Sequence, residues 1–222
     1  MPIFKQINKE FFKRWGNDMA YILGFIYADG NIVYTKRGTW FWSIQVTDEE
    51  IVQRIKEVMN SSHKISSKKK IKNHKQLYRL QVGSKEMCND LINLGLTERK
   101  SKTISFPEIP PKYFCDFLRG YFDGDGGVWI GLKNKKIKNS TFVISTYFTS
   151  GSESFLRDLK ENLRKKGLQG GSFVRKERGF DLKYSVRDSL NLYRIMYNRT
   201  SRCLFLKRKR DKFDRYMKNM RS

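Results

Sequence analysis

Residues 22–30 read Ile-Leu-Gly-Phe-Ile-Tyr-Ala-Asp-Gly, and residues 118–126 read Leu-Arg-Gly-Tyr-Phe-Asp-Gly-Asp-Gly. Both segments contain a glycine, an aromatic residue, an apolar residue and a final Asp-Gly in the same order, nearly half the chain apart. A single Asp-Gly after an apolar run is usually only a turn. Its recurrence in two matched helices indicates a duplicated structural unit in which the aspartate has a function.

The segments that follow the two copies predict the same order of elements, which is helix, hairpin, helix, hairpin, helix. In the first half, strands are predicted at 31–35, 40–47, 64–71 and 76–82, with a turn at 73–74, and helices at 51–59 and 85–94, the latter ending at Gly95. In the second half, strands are predicted at 128–132, 141–148, 172–177 and 182–187, and helices at 154–166, ending at Gly167, and at 190–197. We therefore expect an α+β fold of two pseudo-symmetric α-ββ-α-ββ-α repeats.

Three of the four prolines fall in a short join between the two halves. The sequence therefore predicts an N-terminal repeat at 1–105, a stiff linker at 106–112 and a C-terminal repeat at 113–222. Gly24 and Gly120 lie inside the apolar motif helices, where a glycine costs about 1 kcal/mol relative to alanine. Close backbone contact between the two helices would offset this loss, so we expect them to pair at the centre of the molecule along a pseudo-two-fold axis.

The net charge is +24, from 46 Lys and Arg against 22 Asp and Glu among 222 residues. Such a charge repels itself in a compact fold and favours a polyanionic partner, with nucleic acid first and an anionic membrane surface second. The basic residues are interleaved with aromatic residues and form a dense cluster only at 207–210. This pattern is typical of a broad folded binding surface rather than a basic tail.

The sequence contains no apolar stretch of the ~20 residues that a membrane span requires. Its first residues are a mixture of charged and aromatic types, unlike a signal peptide. We therefore expect an intracellular protein that does not bind membranes. Cys88, Cys115 and Cys203 are far apart and odd in number, which predicts neither disulfides nor a zinc site but three small buried apolar side chains.

Asp29 and Asp125 each come in the last turn of a predicted motif helix, with a glycine after them that is expected to stop the helix. A carboxylate at this end faces the negative end of the helix dipole, at a cost of about 0.3 to 1 kcal/mol. If the helices pair, the two carboxylates also repel each other. The same arrangement suits Mg²⁺, which takes one or two carboxylates and completes its shell with water and phosphate oxygens. Two such ions can activate water and stabilise the leaving oxygen in phosphodiester hydrolysis.

The segments at 22–30 and 118–126 resemble the two signature motifs of the LAGLIDADG homing endonucleases. The order of elements after them extends this resemblance over nearly all of the chain. Two motifs in one chain resemble the monomeric branch of the family, which implies a saddle of two antiparallel sheets on double-stranded DNA. The resemblance implies cleavage of both strands of a long asymmetric site by a monomer without an obligate protein partner, in a bacterial cytoplasm or an organelle matrix.

Carried over residue by residue, the resemblance makes Asp29 and Asp125 the metal-binding acids, with the backbone carbonyls of Ala28 and Gly124 as further ligands. It implies Mg²⁺ as the cofactor, with Mn²⁺ as a substitute. Ca²⁺ is expected to support DNA binding without cleavage.

The resemblance also identifies polar and basic residues of the active site. Gln45 resembles the polar residue that orders water near the metals, and Tyr147 is its closest counterpart by register in the second half. Lys100 resembles the active-site lysine of the family, with Lys209 as its partner and Lys207 as a rival for that place. Such a lysine would stabilise charge on the reacting phosphate or polarise the attacking water.

Two positions depart from the family pattern. Motif 1 has Tyr27 where an acid often lies, whereas motif 2 keeps Asp123. That position is structural in the family, so the tyrosine does not imply a loss of activity. Arg119 replaces a small residue in motif 2, and we expect it to face solvent at the edge of the helix pair.

Strands of this length span about 17 to 20 Å, so two four-stranded sheets would cover more than one turn of duplex. Alternation separates Trp40, Trp42 and Ile44 from Phe41 and Gln45 but does not decide which set faces DNA. Many basic side chains are expected to contact phosphates and only some to reach base edges. The candidate DNA-binding residues are Tyr34, Lys36, Arg37, Trp40, Trp42, Lys68, Lys70, Lys72, Lys75, Arg79, Gln81, Lys133, Lys135, Arg175, Lys176, Arg178, Lys183 and Arg187.

Two other classes of function compete with the nuclease. The first is a binder on the same scaffold that does not cleave, such as an RNA maturase that assists intron splicing or a transcription factor. Retention of both Asp29 and Asp125 favours the nuclease, because a pure binder gains nothing from two crowded carboxylates. The second is a basic membrane-surface protein, which the absence of a long cationic amphipathic helix disfavours.

Overall fold

The computed structural model describes residues 5–68, 75–98, 102–133, 141–198 and 203–220. The helices in these ranges are α1 (Asn17–Asp29), α2 (Glu49–Val58), α3 (Lys85–Asn93), α4 (Phe114–Asp125), α5 (Glu153–Lys165), α6 (Val186–Tyr197) and α7 (Lys207–Asn219). The strands are β1 (Gly30–Tyr34), β2 (Trp40–Val46), β3 (Ile65–Lys68), β4 (Leu77–Gly83), β5 (Gly126–Lys133), β6 (Thr141–Ser150), β7 (Ser172–Lys176) and β8 (Gly179–Tyr184).

The strands form two four-stranded antiparallel sheets with the same order, β1-β2-β4-β3 and β5-β6-β8-β7. Local signals in the sequence set the helix ends. Ser84 and Ser152 accept hydrogen bonds from backbone N–H groups in the first turns of α3 and α5, which is how an N-cap satisfies a helix. Gly95 and Gly167 have positive φ values of 93° and 91° just after α3 and α5, as the predicted stops require. The predicted α+β fold of two repeats is confirmed.

The two motif helices, α1 and α4, pack against each other through their glycines. A Cβ atom at Gly24 would overlap the carbonyl oxygen of Phe117, and one at Gly120 would overlap the carbonyl oxygen of Tyr21. Each backbone therefore lies directly on the other helix at these positions. The predicted helix pair is confirmed, and it lies within one hydrophobic core that both repeats share.

One face of each sheet carries the core and the other is open. Ile32, Ile44 and Leu80 are buried from the first sheet, and Phe148 and Leu182 are buried at the corresponding places of the second. We call the opposite face of each sheet its open face. Side chains alternate along a strand, so every second residue of β2, β4, β6 and β8 lies on the open face.

Three local predictions are wrong. Trp42 points into the core, where it is fully buried and packs edge-on against Phe12, so its ring cannot contact DNA. β8 ends at Tyr184, and Arg187 lies in the first turn of α6 rather than in a strand. Cys88 is buried as expected, but Cys115 and Cys203 are only half-buried.

α7 has no predicted counterpart in the sequence pattern. It begins in the basic run at 207–210 and buries Lys209, Phe213 and Tyr216. Its first turn is attached to the first repeat, because Arg208 donates two-pronged hydrogen bonds to the carboxylate of Asp48 at 2.8 to 3.0 Å. Arg54 of α2 donates to the carbonyl oxygen of Cys203 at 3.0 Å. The C-terminal helix therefore ties the two repeats together.

None of the described helices is both long and apolar enough to cross a membrane. The predicted turn at 73–74 and the candidate residues Lys70, Lys72, Lys100 and Lys135 lie outside the described residues. Lys68 belongs to β3, but its side chain is also outside the described part.

Candidate active site

The two motif aspartates end α1 and α4 side by side. A Cβ atom at Gly124 would overlap the Cβ atom of Ala28 and lie 3.3 Å from Oδ2 of Asp29. The small residues before each aspartate therefore let the two helix ends touch and place the carboxylate of Asp29 against the second motif. Asp29 is exposed and Asp125 is half-buried.

The negative charges of Asp29 and Asp125 both affect the pKa of the buried hydroxyl of Tyr121. Burial first, and then the negative charges of Asp125 and Asp29, raise the pKa of Tyr121 above its usual range. Because Asp125 directly follows Gly124, which lies against Ala28 and Asp29, both aspartates and the carbonyls of Ala28 and Gly124 lie at this junction of the two helix ends.

The residue after each motif aspartate must be glycine, because any side chain there would overlap the last turn of the helix. The helices end at these glycines as predicted, and Gly30 and Gly126 have extended backbones with φ values of −96° and −100°. A Cβ atom at Gly30 would lie 2.5 Å from Cγ2 of Ile26, and one at Gly126 would lie 2.6 Å from the carbonyl oxygen of Phe122. The chain therefore turns from helix into strand directly against its own last turn, which fixes the aspartate at the junction.

Lys209 is buried at the C-terminal end of α4. Its Nζ donates to the carbonyl oxygens of Phe122 and Asp123 at 2.7 Å, Gly126 at 2.6 Å and Gly124 at 3.2 Å. Burial lowers the pKa of Lys209 to about 8, against the opposing effect of Asp123 and of the motif aspartates. The ammonium therefore caps the helix that carries Asp125. The role of Lys209 beside the reacting phosphate or water stays a prediction.

Lys207, the rival of Lys209, is the first residue of α7 and is exposed. Its side chain is open to solvent, whereas that of Lys209 is enclosed against the end of α4. Arg208 was not predicted, yet the charge of Asp29 contributes to raising its pKa, after the larger effect of its hydrogen bonds to Asp48. The start of α7 therefore lies near the acids.

The motif position that often holds an acid in the family is structural in both repeats, as expected. It is Tyr27 in motif 1 and Asp123 in motif 2. Tyr27 is buried and donates from its hydroxyl to the carbonyl oxygen of Leu94 at 2.6 Å. Asp123 is buried, and its Oδ2 accepts from the hydroxyl of Tyr21 and from the backbone N–H of Leu206, both at 2.8 Å. Burial raises the pKa of Asp123 to about 6, against the stabilising effect of Lys209.

The register of the sheets assigns the polar neighbours of the two acids. Gly30 pairs with Ile44 and Gly126 pairs with Phe148. One residue further along β2, Gln45 lies level with Asp29. One residue further along β6, Thr149 lies level with Asp125. The counterpart of Gln45 is thus Thr149 rather than Tyr147. Counting strand positions outward from the motif glycine would have found it.

The donor set fits a divalent cation that needs few protein ligands. The described residues contain no group of three or more His, Cys, Asp or Glu side chains that could together hold a metal ion. Two carboxylates and two nearby backbone carbonyls are hard oxygen donors, which suit Mg²⁺ when water and phosphate fill its remaining positions. Zinc, which favours histidine and cysteine, is a poorer match.

The predicted DNA contacts occupy several places. Arg79 and Gln81 of β4 and Lys183 of β8 lie on the open faces of the sheets, since each is out of phase with the buried residues of its strand. The exposed candidates at hairpin turns or strand ends are Tyr34, Lys36, Arg37, Lys75, Lys133, Arg175, Lys176 and Arg178. Trp40 is half-buried against the ring of Tyr34, with 4.9 Å between centroids.

A family model described as a LAGLIDADG-like domain matches residues 17–91 and 115–209. An uncharacterised protein of Methanocaldococcus jannaschii is 25% identical over 207 residues, which cover 91% of this chain and 72% of that protein. A probable translation initiation factor of Thermococcus kodakarensis is 37% identical over 100 residues, which cover 43% of this chain but only 8% of that protein's length.

Two solved structures have the same fold. The LAGLIDADG meganuclease I-AabMI bound to uncleaved DNA superposes with a TM-score of 0.62 at 14% identity, covering 92% of this chain and 90% of that one. The homing endonuclease I-WcaI bound to its DNA recognition sequence superposes with a TM-score of 0.61 at 17% identity, with the same coverage.

Proposed function

The chain belongs to the family of proteins with a LAGLIDADG-like domain, and we propose that it is a metal-dependent endonuclease that cuts both strands of a long, asymmetric site in double-stranded DNA. The observation that carries this proposal is the meeting of Asp29 and Asp125 at the paired ends of α1 and α4. Two carboxylates crowded at the negative ends of two helix dipoles destabilise the fold. Bound divalent cations would offset this repulsion between the carboxylates, so the arrangement favours a metal site.

Each residue of the site has a proposed role. Asp29 and Asp125, with the carbonyls of Ala28 and Gly124, would hold Mg²⁺ or Mn²⁺. The bound ions would lower the pKa of a water molecule and offset charge on the reacting phosphate. Gln45 would orient that water on the Asp29 side.

The basic residues would bind and position the duplex. The net charge of +24 supplies attraction to the phosphate backbone, and Arg79, Gln81 and Lys183 lie on the open faces, where they could reach it. The two DNA-bound meganucleases of the same fold support double-stranded DNA as the ligand. Binding requires no second copy of the chain, because both motifs belong to one polypeptide.

Selection of cleaved duplexes from a randomised library tests the function and finds the target sequence in the same experiment. Incubation with Mg²⁺ should enrich one family of long sites, whereas Ca²⁺ should support binding and yield no cleaved product. Asp29→Asn and Asp125→Asn should each abolish cleavage of the selected site and leave its affinity in Ca²⁺ largely unchanged.

Asp158→Asn is the matched control, because this aspartate is exposed on α5 and the substitution removes the same charge. It should cleave like the wild type. If no duplex is cleaved, or if both motif variants remain fully active, the nuclease proposal is wrong. Tight binding to a structured RNA without any DNA cleavage would instead support a maturase.

A further inference from the structure

The carboxylate of Asp48 connects the first repeat to α7. Asp48 comes directly before α2, at the position where an aspartate often caps its own helix. Its side chain forms no capping hydrogen bond with the described residues of α2. It accepts instead from Nε and Nη2 of Arg208 at 2.8 to 3.0 Å. The link to α7 takes the place of a local bond that would stabilise α2, which indicates a role beyond the stability of that helix.

The first turn of α7 holds the backbone around Asp125. Nζ of Lys209 donates to the carbonyl oxygens of the residues on either side, Gly124 at 3.2 Å and Gly126 at 2.6 Å. Lys209 is 5% exposed, so these contacts are enclosed by the fold. The placement of Asp125 therefore depends on where the first turn of α7 lies.

The other end of the link is close to Asp29. Asp48 follows two residues after the end of β2, the strand on which Gln45 lies level with Asp29. The hydrogen bonds to Asp48 raise the pKa of Arg208, and the negative charge of Asp29 adds to this effect. The pair of Asp48 and Arg208 thus joins the end of the strand that borders Asp29 to the helix that holds the backbone around Asp125.

We propose that Asp48 and Arg208 are positioning residues, which set the placement of Asp125 relative to Asp29 by fixing the first turn of α7. This inference rests on the proposed nuclease function. The side chains of Asp48 and Arg208 are 23% and 55% exposed, and a surface ion pair of this kind adds little to stability. Catalysis is more sensitive, because a displacement of ~1 Å can slow a reaction by about 100-fold. The pair should therefore affect cleavage much more than folding.

Single-turnover cleavage of the selected duplex in Mg²⁺ is the first test. Asp48→Asn and Arg208→Gln should each slow cleavage by about 10- to 100-fold and leave affinity for the duplex in Ca²⁺ largely unchanged. The double variant should be no slower than either single variant, because both substitutions remove the same contact. The melting temperature should fall by no more than about 4 °C.

Hydrogen–deuterium exchange of the protein without DNA or metal is the second test. Exchange of the amides at 122–128 and 206–210 should become several-fold faster in Asp48→Asn and in Arg208→Gln, because the segments that the pair fixes would open more often. Arg164→Gln is the control, since it removes an arginine that pairs with Glu161 on the surface of α5. It should cleave and exchange like the wild type.

A lysine at position 208 separates geometry from charge. Arg208→Lys keeps the positive charge but cannot reproduce the two-pronged contact with a carboxylate, so it should recover only part of the cleavage rate. Full recovery would overturn the inference, because charge alone would then suffice.

The remaining outcomes separate the inference from the function on which it rests. Normal cleavage by Asp48→Asn and by Arg208→Gln would overturn the inference while the nuclease stands. Slower cleavage by Arg208→Gln alone, with weaker binding of the duplex, would make Arg208 a phosphate ligand and would also overturn it. Unchanged exchange at 122–128 in both variants would overturn the positioning role. Absence of cleavage by the wild type would overturn the nuclease proposal, and the exchange measurement would still decide whether the pair fixes α7.

Discussion

Arg119 holds three parts of the second repeat together through one guanidinium. Its Nη2 donates to Asp116 at 2.6 Å, its Nε to the carbonyl oxygen of Leu204 at 2.9 Å and its Nη1 to the carbonyl oxygen of Met196 at 3.0 Å. The residue is 3% exposed, so the expected position at a solvent edge is wrong. The segment that contains Met196 and Leu204 covers this edge and supplies two carbonyl acceptors. The helical periodicity of the motif alone does not predict that this segment packs there.

Replacement of this arginine tests the network. Arg119→Met should lower the free energy of unfolding by roughly 3 to 5 kcal/mol, because it leaves Asp116 as a buried charge without its cation. Urea denaturation measures the change. Arg164→Met is the control, since Arg164 pairs with Glu161 on the surface of α5, and its loss should lower stability by at most about 0.5 kcal/mol. Equal losses of stability in the two variants would contradict the role assigned to the buried pair of Arg119 and Asp116.

Asp123 makes stability depend on pH. Burial raises its pKa to about 6 in the folded protein, above the value near 4 that an unfolded chain gives. The folded state therefore binds more protons than the unfolded state between these two values. The contribution of Asp123 to stability is fully present below about pH 4 and is lost as the pH rises through about 6.

Urea denaturation between pH 4 and pH 7 checks this sign. The wild type should lose roughly 3 kcal/mol relative to Asp123→Asn over that range, because a shift of one pKa unit corresponds to about 1.4 kcal/mol. The asparagine can still accept from Tyr21 and Leu206. A difference between the two proteins that stays constant or grows with pH would contradict the assignment.

At the level of elements, the paired helices α1 and α4 depend on two missing side chains. Gly24→Ala and Gly120→Ala should each lower the free energy of unfolding by about 3 kcal/mol or more, because the new methyl group would overlap a backbone carbonyl that cannot move aside. Gly83→Ala is the control, since its Cβ position meets only the carbonyl oxygen of Trp40, at an ordinary contact distance of 3.9 Å. Thermal or urea denaturation of the three variants is the measurement. Full stability of the motif variants would mean that the helices do not touch there.

The repeated order of helices and hairpins could be predicted because each element carries its own periodicity and end signals. The helix pair followed from Gly24 and Gly120, which only close contact explains. α7 was missed because its apolar positions are few, and the run of basic residues at 207–210 hides its start. The burial of Trp42 and the position of Thr149 level with Asp125 depend on register, which alternation within one strand leaves undetermined.

The two motif aspartates could be predicted from the sequence, but the residues that surround them could not. Asp29 and Asp125 stand out because a rare pattern occurs twice. Lys209 could be located, but its contact with the end of α4 depends on how α7 packs.

For the molecule as a whole, the charge of +24 predicts DNA affinity that depends steeply on salt. Binding that releases counterions from six to ten phosphates should weaken by roughly 10³- to 10⁵-fold between about 50 and 200 mM salt. Fluorescence anisotropy with the selected duplex in Ca²⁺ measures this slope. Replacement of Lys36 and Arg37 together should make it shallower by about two, one for each phosphate that is no longer neutralised. A slope near zero would contradict phosphate binding by the basic candidate residues.

Anomalous diffraction from Mn²⁺ in crystals of the protein bound to its selected duplex would locate the metal ions. Anomalous density is expected between the carboxylates of Asp29 and Asp125, within coordinating distance of both and of a backbone phosphate. Manganese elsewhere, or at neither carboxylate while the duplex is being cut, would contradict a metal site formed by these two aspartates.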